Sequence, residues 1–230
     1  MFSRRLTRPI AIGAAAIAIA GGAYGIVGAT AGNGSGAATT TTSPAAPGSG
    51  GSNMRSGPAT GGALGKVDSV SASGFTISTP AGQKVTVTKA SSITYKKGTS
   101  SISSSAIKKG VNVLVLGTTN GKTIAATQVI VQPSSSGSGT SSAVVPFKRG
   151  APSTAKQVGQ IPANYTQGSG TIVSGATANK ATLAALAAYP GGVVNRVVKL
   201  ANGEYEVHNI GVNWPHHIFV SASFKVVGAN

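Results

Sequence analysis

The run Lys109-Gly110-Val111-Asn112-Val113-Leu114-Val115-Leu116-Gly117 places valines at 111, 113 and 115 on one face and leucines at 114 and 116 on the other. Side chains alternate across a strand, so a segment apolar on both faces predicts a strand covered on both sides. It should be the best-covered strand of its unit. Outward from it lie further short runs: 65–70, 75–79, 84–88 and 122–131. In Lys84-Val85-Thr86-Val87-Thr88 the valines point one way and the polar residues the other, as in a half-buried strand. Ser73-Gly74, Pro80-Ala81-Gly82 and Asn120-Gly121 punctuate the runs as turn formers. The stretch 102–109 supplies a helical turn or an irregular cap. Strands this short and this closely spaced, with turns between, predict an all-β unit over 63–132, a small barrel closed to protect its edges.

The quoted glycines and strand valines carry a resemblance. Gly65, Val67, Val70, Phe75, Ile77, Gly82, Val85, Val87 and Thr94, then Lys109-Gly110, Val113, Val115, Gly117, Gly121, Ile124 and Ala126, resemble the small OB-like domains of bacterial exported proteins. The resemblance spans the unit and implies fold more than function. OB-type barrels often bind oligonucleotides or oligosaccharides, and this unit carries eight lysines against Asp68. Lys84, Lys96, Lys97, Lys108, Lys109 and Lys122 are the candidates for a polyanion. Phe75 and Tyr95 are the unit's only aromatics, and Phe75 alternates with Ile77 as a core residue would. Stacking of successive bases therefore has little to work with. The same lysines also serve simply to solvate the barrel.

The C-terminal part, 174–230, reads α-β-β-β. Leu183 and Leu186 in an alanine-rich segment predict a helix over 178–189, stopped by Pro190-Gly191-Gly192. Strands over 193–200 and 204–210 flank Ala201-Asn202-Gly203, a hairpin signal. A two-residue Asn202-Gly203 loop would set Leu200 opposite Tyr205, Val198 opposite Val207 and Lys199 opposite Glu206, the last as an ion pair. A third strand over 216–221 follows, and 224–227 closes the chain. The helix with Tyr205, Val207, Ile218-Phe219-Val220 and Lys225-Val226-Val227 is similar to the PepSY family of peptidase propeptides and cell-envelope proteins. That similarity implies a protease modulator or a ligand-binding module.

Composition divides the remainder. The chain of 230 residues has 33 glycines and 11 prolines. Gly/Ala/Thr/Ser/Pro sequence over 32–62 is too polar and small to offset ordering entropy and reads as a stalk. Segment 133–173, opening on Pro133-Ser134-Ser135-Ser136-Gly137, reads as a mostly irregular linker. The expected architecture is therefore multidomain: an OB-like barrel and a PepSY-like α+β unit joined by disordered linkers.

Residues 1–31 carry Arg4, Arg5 and Arg8, then an uncharged and largely apolar run ending in Ala29-Thr30-Ala31. That order is a signal peptide, with cleavage favoured after Ala31, or else an N-terminal membrane anchor. Arg4-Arg5 partly matches a twin-arginine signal. The expected location is outside the cytoplasmic membrane, secreted or at the cell surface. Absence of cysteine excludes disulfides, thiolate metal sites and lipidation at a leader cysteine. Net charge is +16, falling to about +13 once the leader arginines are removed.

Asp68, Glu204 and Glu206 are the only acidic side chains, which excludes multi-carboxylate metal cages. His208, His216 and His217 are the only histidines. If Ile210 pairs with His216, then Glu206, His208 and His216 share a face and offer a zinc-type donor set, though without metal-motif spacing. Trp214, with His216 and His217, forms the most unusual surface expectation, a partner anchor; the alternative is a Trp folded over the sheet end. Ser169 in Gly168-Ser169-Gly170 lacks the strand–turn–helix elbow of a hydrolase nucleophile. The expectation is a protein without catalysis or cofactor, contacting an envelope protein partner, the alternative being an anionic wall polymer or nucleic acid. Membrane contact is expected only through an uncleaved leader.

Overall fold

The computed structural model describes residues 57–133, 143–150 and 156–230. The leader and nearly all of the expected stalk lie outside them. The described chain is dominated by β-sheet with a single α-helix. In chain order the elements are β1 (Ala59–Val70), β2 (Gly74–Ser78), β3 (Lys84–Lys97), β4 (Ser100–Ser101), β5 (Asn112–Asn120), β6 (Thr123–Val131), β7 (Val145–Pro146), β8 (Val158–Gly159), β9 (Thr171–Val173), α1 (Gly175–Ala188), β10 (Val193–Lys199), β11 (Tyr205–Ile210), β12 (Val212–Trp214), β13 (His217–Val220) and β14 (Val226–Ala229).

Five of these strands close on themselves. β1 pairs with β2 and β5, β2 with β3, β5 with β6, and β3 with β6 in parallel. Inside the ring lie Val67, Phe75, Ile77, Val85, Val87, Val113, Val115, Ile124 and Val129. Ile107, at the end of the short turn of helix Ser104–Ala106, plugs it. Burying each such side chain contributes roughly 1.5–3 kcal/mol, so closure rather than size stabilises this unit.

The strands of the C-terminal part continue the same sheet. β10 pairs antiparallel with β1, Gly62 opposite Val194 and Ala63 opposite Val193. The order then runs β10-β11-β13-β14-β8, with β9 on β10. Two bodies were expected on either side of a spacer; instead, one sheet passes through both. The leucine face of β5 supplies the reason. Leu114 and Leu116, with Leu64 of β1, sit in one apolar cluster with Ala178, Ala181, Ala185 and Leu186 of α1 and with Val197, Tyr205, Val207, Ile218 and Val220. The valine face fills the barrel while the leucine face meets the helix.

Two expected boundaries therefore move. β1 begins at Ala59, inside the segment read as stalk. Gly61 and Gly62 resemble spacer residues, yet a Cβ on Gly61 would overlap the Val194 carbonyl and one on Gly62 the Val115 carbonyl. Their missing side chains admit the neighbouring backbones. Likewise 133–173 is not wholly a linker, since it contains β7, β8 and β9, and Val144 is buried in the shared cluster.

Replacing Gly61 with Val forces a side chain into a backbone carbonyl that cannot rotate away. A loss of at least about 2 kcal/mol in urea denaturation is expected. In the parent protein, far-UV circular dichroism and Trp214 fluorescence should unfold together as one transition. Two separated transitions would mean that the junction does not couple the halves.

Candidate functional site

The hairpin between β10 and β11 places the polar groups. Leu200 N–H bonds the Glu204 carbonyl at 2.8 Å and Gly203 N–H bonds the Leu200 carbonyl at 3.0 Å. Gly203 has φ +86° and no other non-glycine residue of the turn is left-handed. This is a three-residue loop closed by a left-handed glycine, not the two-residue loop expected. Asn202 fits it by accepting from Glu204 N–H at 3.1 Å and donating to the Glu204 carboxylate at 2.9 Å.

One residue of register follows. Lys199 stands opposite Tyr205, Val198 opposite Glu206 and Val197 opposite Val207. The expected Lys199–Glu206 ion pair is absent, because a single-residue slip changes which side chains share a face. The β11–β13 register also differs from expectation: His208 pairs with His217, and Glu206 with Phe219. On the face away from α1, Glu206 and Arg196 are both fully buried, with 3.6 Å between Arg196 Nη2 and Glu206 Oε1.

Around this pair the remaining groups converge. His217 Nδ1 lies 2.8 Å from Glu206 Oε1 and 3.0 Å from the Tyr165 hydroxyl. An ionised carboxylate only accepts, so Nδ1 carries the proton and donates to Glu206. The Tyr165 hydroxyl then turns its own proton to Glu206. Burial first, then the Glu206 charge and this hydrogen bond, hold that hydroxyl well above its ordinary pKa against the pull of Arg196. Tyr165 also meets Phe219 edge-on at 4.8 Å, which fastens the 160–170 segment over the cluster. His208 Nδ1 lies 2.6 Å from Asn195 Oδ1, an acceptor, so His208 likewise donates from Nδ1.

The histidine rings approach one another, with centroids 5.2 to 6.1 Å apart. Burial lowers the His208 pKa to about 2, assisted by Arg196, His217 and His216; burial also lowers that of His216, with His217 and Arg196 contributing. His208 and His216 are thereby held neutral beside the buried Arg196–Glu206 pair. The proposed donors Glu206, His208 and His216 do not converge: Glu206 faces Arg196 and His217, and His208 faces Asn195. Among the described residues no group of three His, Asp or Glu is placed to hold a metal ion.

Trp214 is not a surface anchor. It is 2% exposed, its indole N–H donates to the Lys156 carbonyl at 2.6 Å, and its ring meets Tyr189 edge-on at 5.5 Å. The thin core beside α1 takes the ring instead. His216 and His217 are half-buried and their backbone N–H groups bond the Asn230 carbonyl at 2.8 and 3.1 Å. Lys84, Lys97, Lys108, Lys109 and Lys122 are exposed and Lys96 is half-buried. They form no single cluster. Lys84 and Lys122 flank Thr86 at one end of β3, while Lys96 and Lys97 lie at the other, roughly 30 Å away at ~3.3 Å per paired residue, the residues bulged between Lys89 and Thr94 adding no length.

A cleft of about 600 Å³ opens between the 162–171 segment and the hairpin, walled by Pro162, Tyr165, Thr171, Lys199, Leu200 and Asn202 among others. Neither this cleft nor Arg196, Asn195 and Tyr165 was singled out in the sequence. Asn195-Arg196 inside the otherwise apolar run 193–198 is the one local signal of a buried polar centre.

Arg196→Met leaves Glu206 charged and buried beside fewer compensating groups. Destabilisation of about 3–5 kcal/mol is expected, with most of it recovered in the Arg196→Met/Glu206→Leu double variant. Because His208 titrates lower in the folded than in the unfolded chain, its contribution is complete above pH 6.5 and declines as pH falls toward 2. The unfolding free energy from urea denaturation should drop by up to about 1.4 kcal/mol per pH unit between pH 6.5 and pH 4 from this residue, and His208→Gln should flatten the slope. No family model, curated protein or solved structure matches the chain.

Proposed function

We propose that this chain is an exported, non-catalytic interaction protein of the cell envelope, built on an OB-like barrel and a PepSY-like α-β-β-β unit. The ring order β1-β2-β3-β6-β5, with β3 and β6 parallel, supports the OB-like assignment. A helix laid on the β10-β11-β13-β14 sheet supports the PepSY-like one. Export rests on the arginine-then-apolar order of residues 1–31. One observation carries the non-catalytic reading: Arg196, Glu206 and His208, the groups best suited to acid–base work, are sealed inside and engaged with one another or with Asn195. A buried cluster whose members face one another orders a fold, whereas a catalytic one must meet substrate. What remains for binding is surface: the cleft, and the lysines.

A second reading, electrostatic binding of an anionic wall polymer or nucleic acid, has its own observation. All three acidic side chains are engaged: Asp68 accepts from Ser78 at 2.6 Å with Lys84 at 3.7 Å, Glu204 is held by Asn202, and Glu206 is buried. Positive charge at the barrel surface is therefore left largely uncompensated.

The first reading is tested by the mass and location of the mature chain. A product beginning near Gly32, or an intact tethered chain, is expected in the medium and membrane fractions. Intact chain in the cytosol would overturn it, as would turnover of a substrate by purified protein. The second is tested by retention on immobilised polyphosphate. A salt slope near −0.7 to −0.9 per phosphate contacted is expected. No retention at low salt removes that reading.

A further inference from the structure

Residues 160–170 join β8 to β9, and those two strands lie on opposite edges of one sheet, β8 on β14 and β9 on β10. The connection therefore crosses over β14, β13, β11 and β10, roughly 24 Å at ~4.8 Å per strand spacing. It makes two turns of its own, Tyr165 N–H to the Pro162 carbonyl at 2.9 Å and Ser169 N–H to the Thr166 carbonyl at 3.0 Å. Ile161 and Tyr165 pack on Val198, Leu200 and Phe219 of the sheet. Ala163, Asn164, Thr166, Gln167 and Gly170 are exposed. The segment is a strap, held at its ends by edge strands and near its middle by the Tyr165 ring.

Under that ring the strand register sets basic side chains in a row. Arg196 of β10 stands opposite His208 of β11, and His208 opposite His217 of β13. His216 adds a further imidazole, its ring 5.7 Å from that of His208 and 6.1 Å from that of His217. Glu206, one row on, is the one acidic side chain here; Asp68 lies against Ser78 and Lys84, and Glu204 against Asn202. β8, β9, β14 and the strap carry no charged residue, and the strap's one titratable group is the Tyr165 hydroxyl. One guanidinium thus faces one carboxylate, and each proton taken up by an imidazole adds a cation with no second carboxylate to meet it. Burial first, then Arg196, His217 and His216, lowers the His208 pKa to about 2; burial, His217 and Arg196 lower that of His216. In water the same rings take up protons near their ordinary value of 6.5. Acid therefore favours a state that returns them to solvent. The apolar clusters beside α1 and inside the barrel contain no Asp, Glu, His, Lys or Arg, so acid has nothing comparable to act on there.

We propose that residues 160–170 form an acid-released strap, in which proton uptake by the histidine cluster lifts Tyr165 from the sheet while α1 and the barrel stay folded. Tyr165 is well placed to transmit the change. Its hydroxyl lies 3.0 Å from His217 Nδ1, which is itself 2.8 Å from Glu206 Oε1, and its ring meets Phe219 edge-on at 4.8 Å. Release uncovers Val198, Leu200 and Phe219 and takes away one wall of the cleft, so the surface that the chain presents depends on pH. Because His208 titrates lower under the strap than in water, closure is complete above pH 6.5 and weakens as pH falls. The ratio of open to closed strap should rise by up to about tenfold per pH unit below that point for the proton on His208. The device is independent of where the chain acts.

The test uses the purified, isotope-labelled full chain carrying a nitroxide on Thr166→Cys, an exposed strap position in a sequence without cysteine. At pH 7 the label should broaden the amide signals of Glu206, His208 and Phe219. Between pH 6 and pH 4 that broadening should be lost while the signals of α1 and β5 stay in place. Tyr165→Phe keeps a ring on Phe219 without the hydroxyl and should release at higher pH. The double variant His208→Gln/His216→Gln removes two proton sites and should need about tenfold more acid for release. Broadening that persists at pH 4 in the parent would overturn the inference. Loss of the α1 and β5 signals together with the broadening would also overturn it, since that is global unfolding. Release at the same pH in the parent and in the double variant would do so as well, by placing the proton elsewhere.

Discussion

Everything in this fold depends on β1 having two different neighbours along one edge. Its N-terminal half is bonded there to β10 and its C-terminal half to β2, while its other edge is bonded to β5 from Ala59 to Lys66. The second half closes a barrel; the first half launches a second sheet. Gly61 and Gly62 make this possible by letting the Val194 and Val115 carbonyls come close. The leucines of β1 and β5 then have to be covered, and α1 covers them. A chain with few aromatics thereby adds to the barrel interior a second cluster to which both halves contribute.

The polar centre is a consequence of that assembly. Among the described residues no helix lies over the face of β10, β11 and β13 opposite α1. That face is closed by Ile161 and Tyr165, which pack with Val198, Leu200 and Phe219. Beneath Tyr165, Glu206 balances Arg196, and His217 hydrogen-bonds to the carboxylate. Such a cluster specifies register strongly, since any slip would strand a charge in the interior. It also fastens the 162–171 segment, and so shapes the cleft that this segment forms with the hairpin.

Much of the local structure was legible. The alternation in Lys84–Thr88 and the double-faced run at 111–116 marked strands that are present as β3 and β5, and Asn202-Gly203 marked a hairpin. What misled was the hairpin loop length. Asn-Gly serves a two-residue loop and equally a three-residue loop ending in a left-handed glycine, and the cross-strand match of Lys199 with Glu206 favoured the former. The Glu206–His208–His216 donor set depended on a second assumed register, between β11 and β13, and a shift of one residue dispersed it. For Trp214 the local sequence allows a partner anchor or a ring folded over the sheet end, and it carries no sign of Tyr189 and Lys156, which close over the ring.

By itself the sequence determined the β-rich class, the single alanine-rich helix, the places of the longer strands, and the excess of positive charge over only three acidic side chains. These follow from periodicity and composition, which are local properties. Tertiary structure decided that the two halves share a sheet, that Arg196 and Glu206 are partners, and that the 162–171 segment forms a cleft with the hairpin. Each of those depends on which strand lies next to which and in what register. Pairings between residues more than a hundred positions apart, such as Gly62 with Val194, leave no mark within either segment read alone.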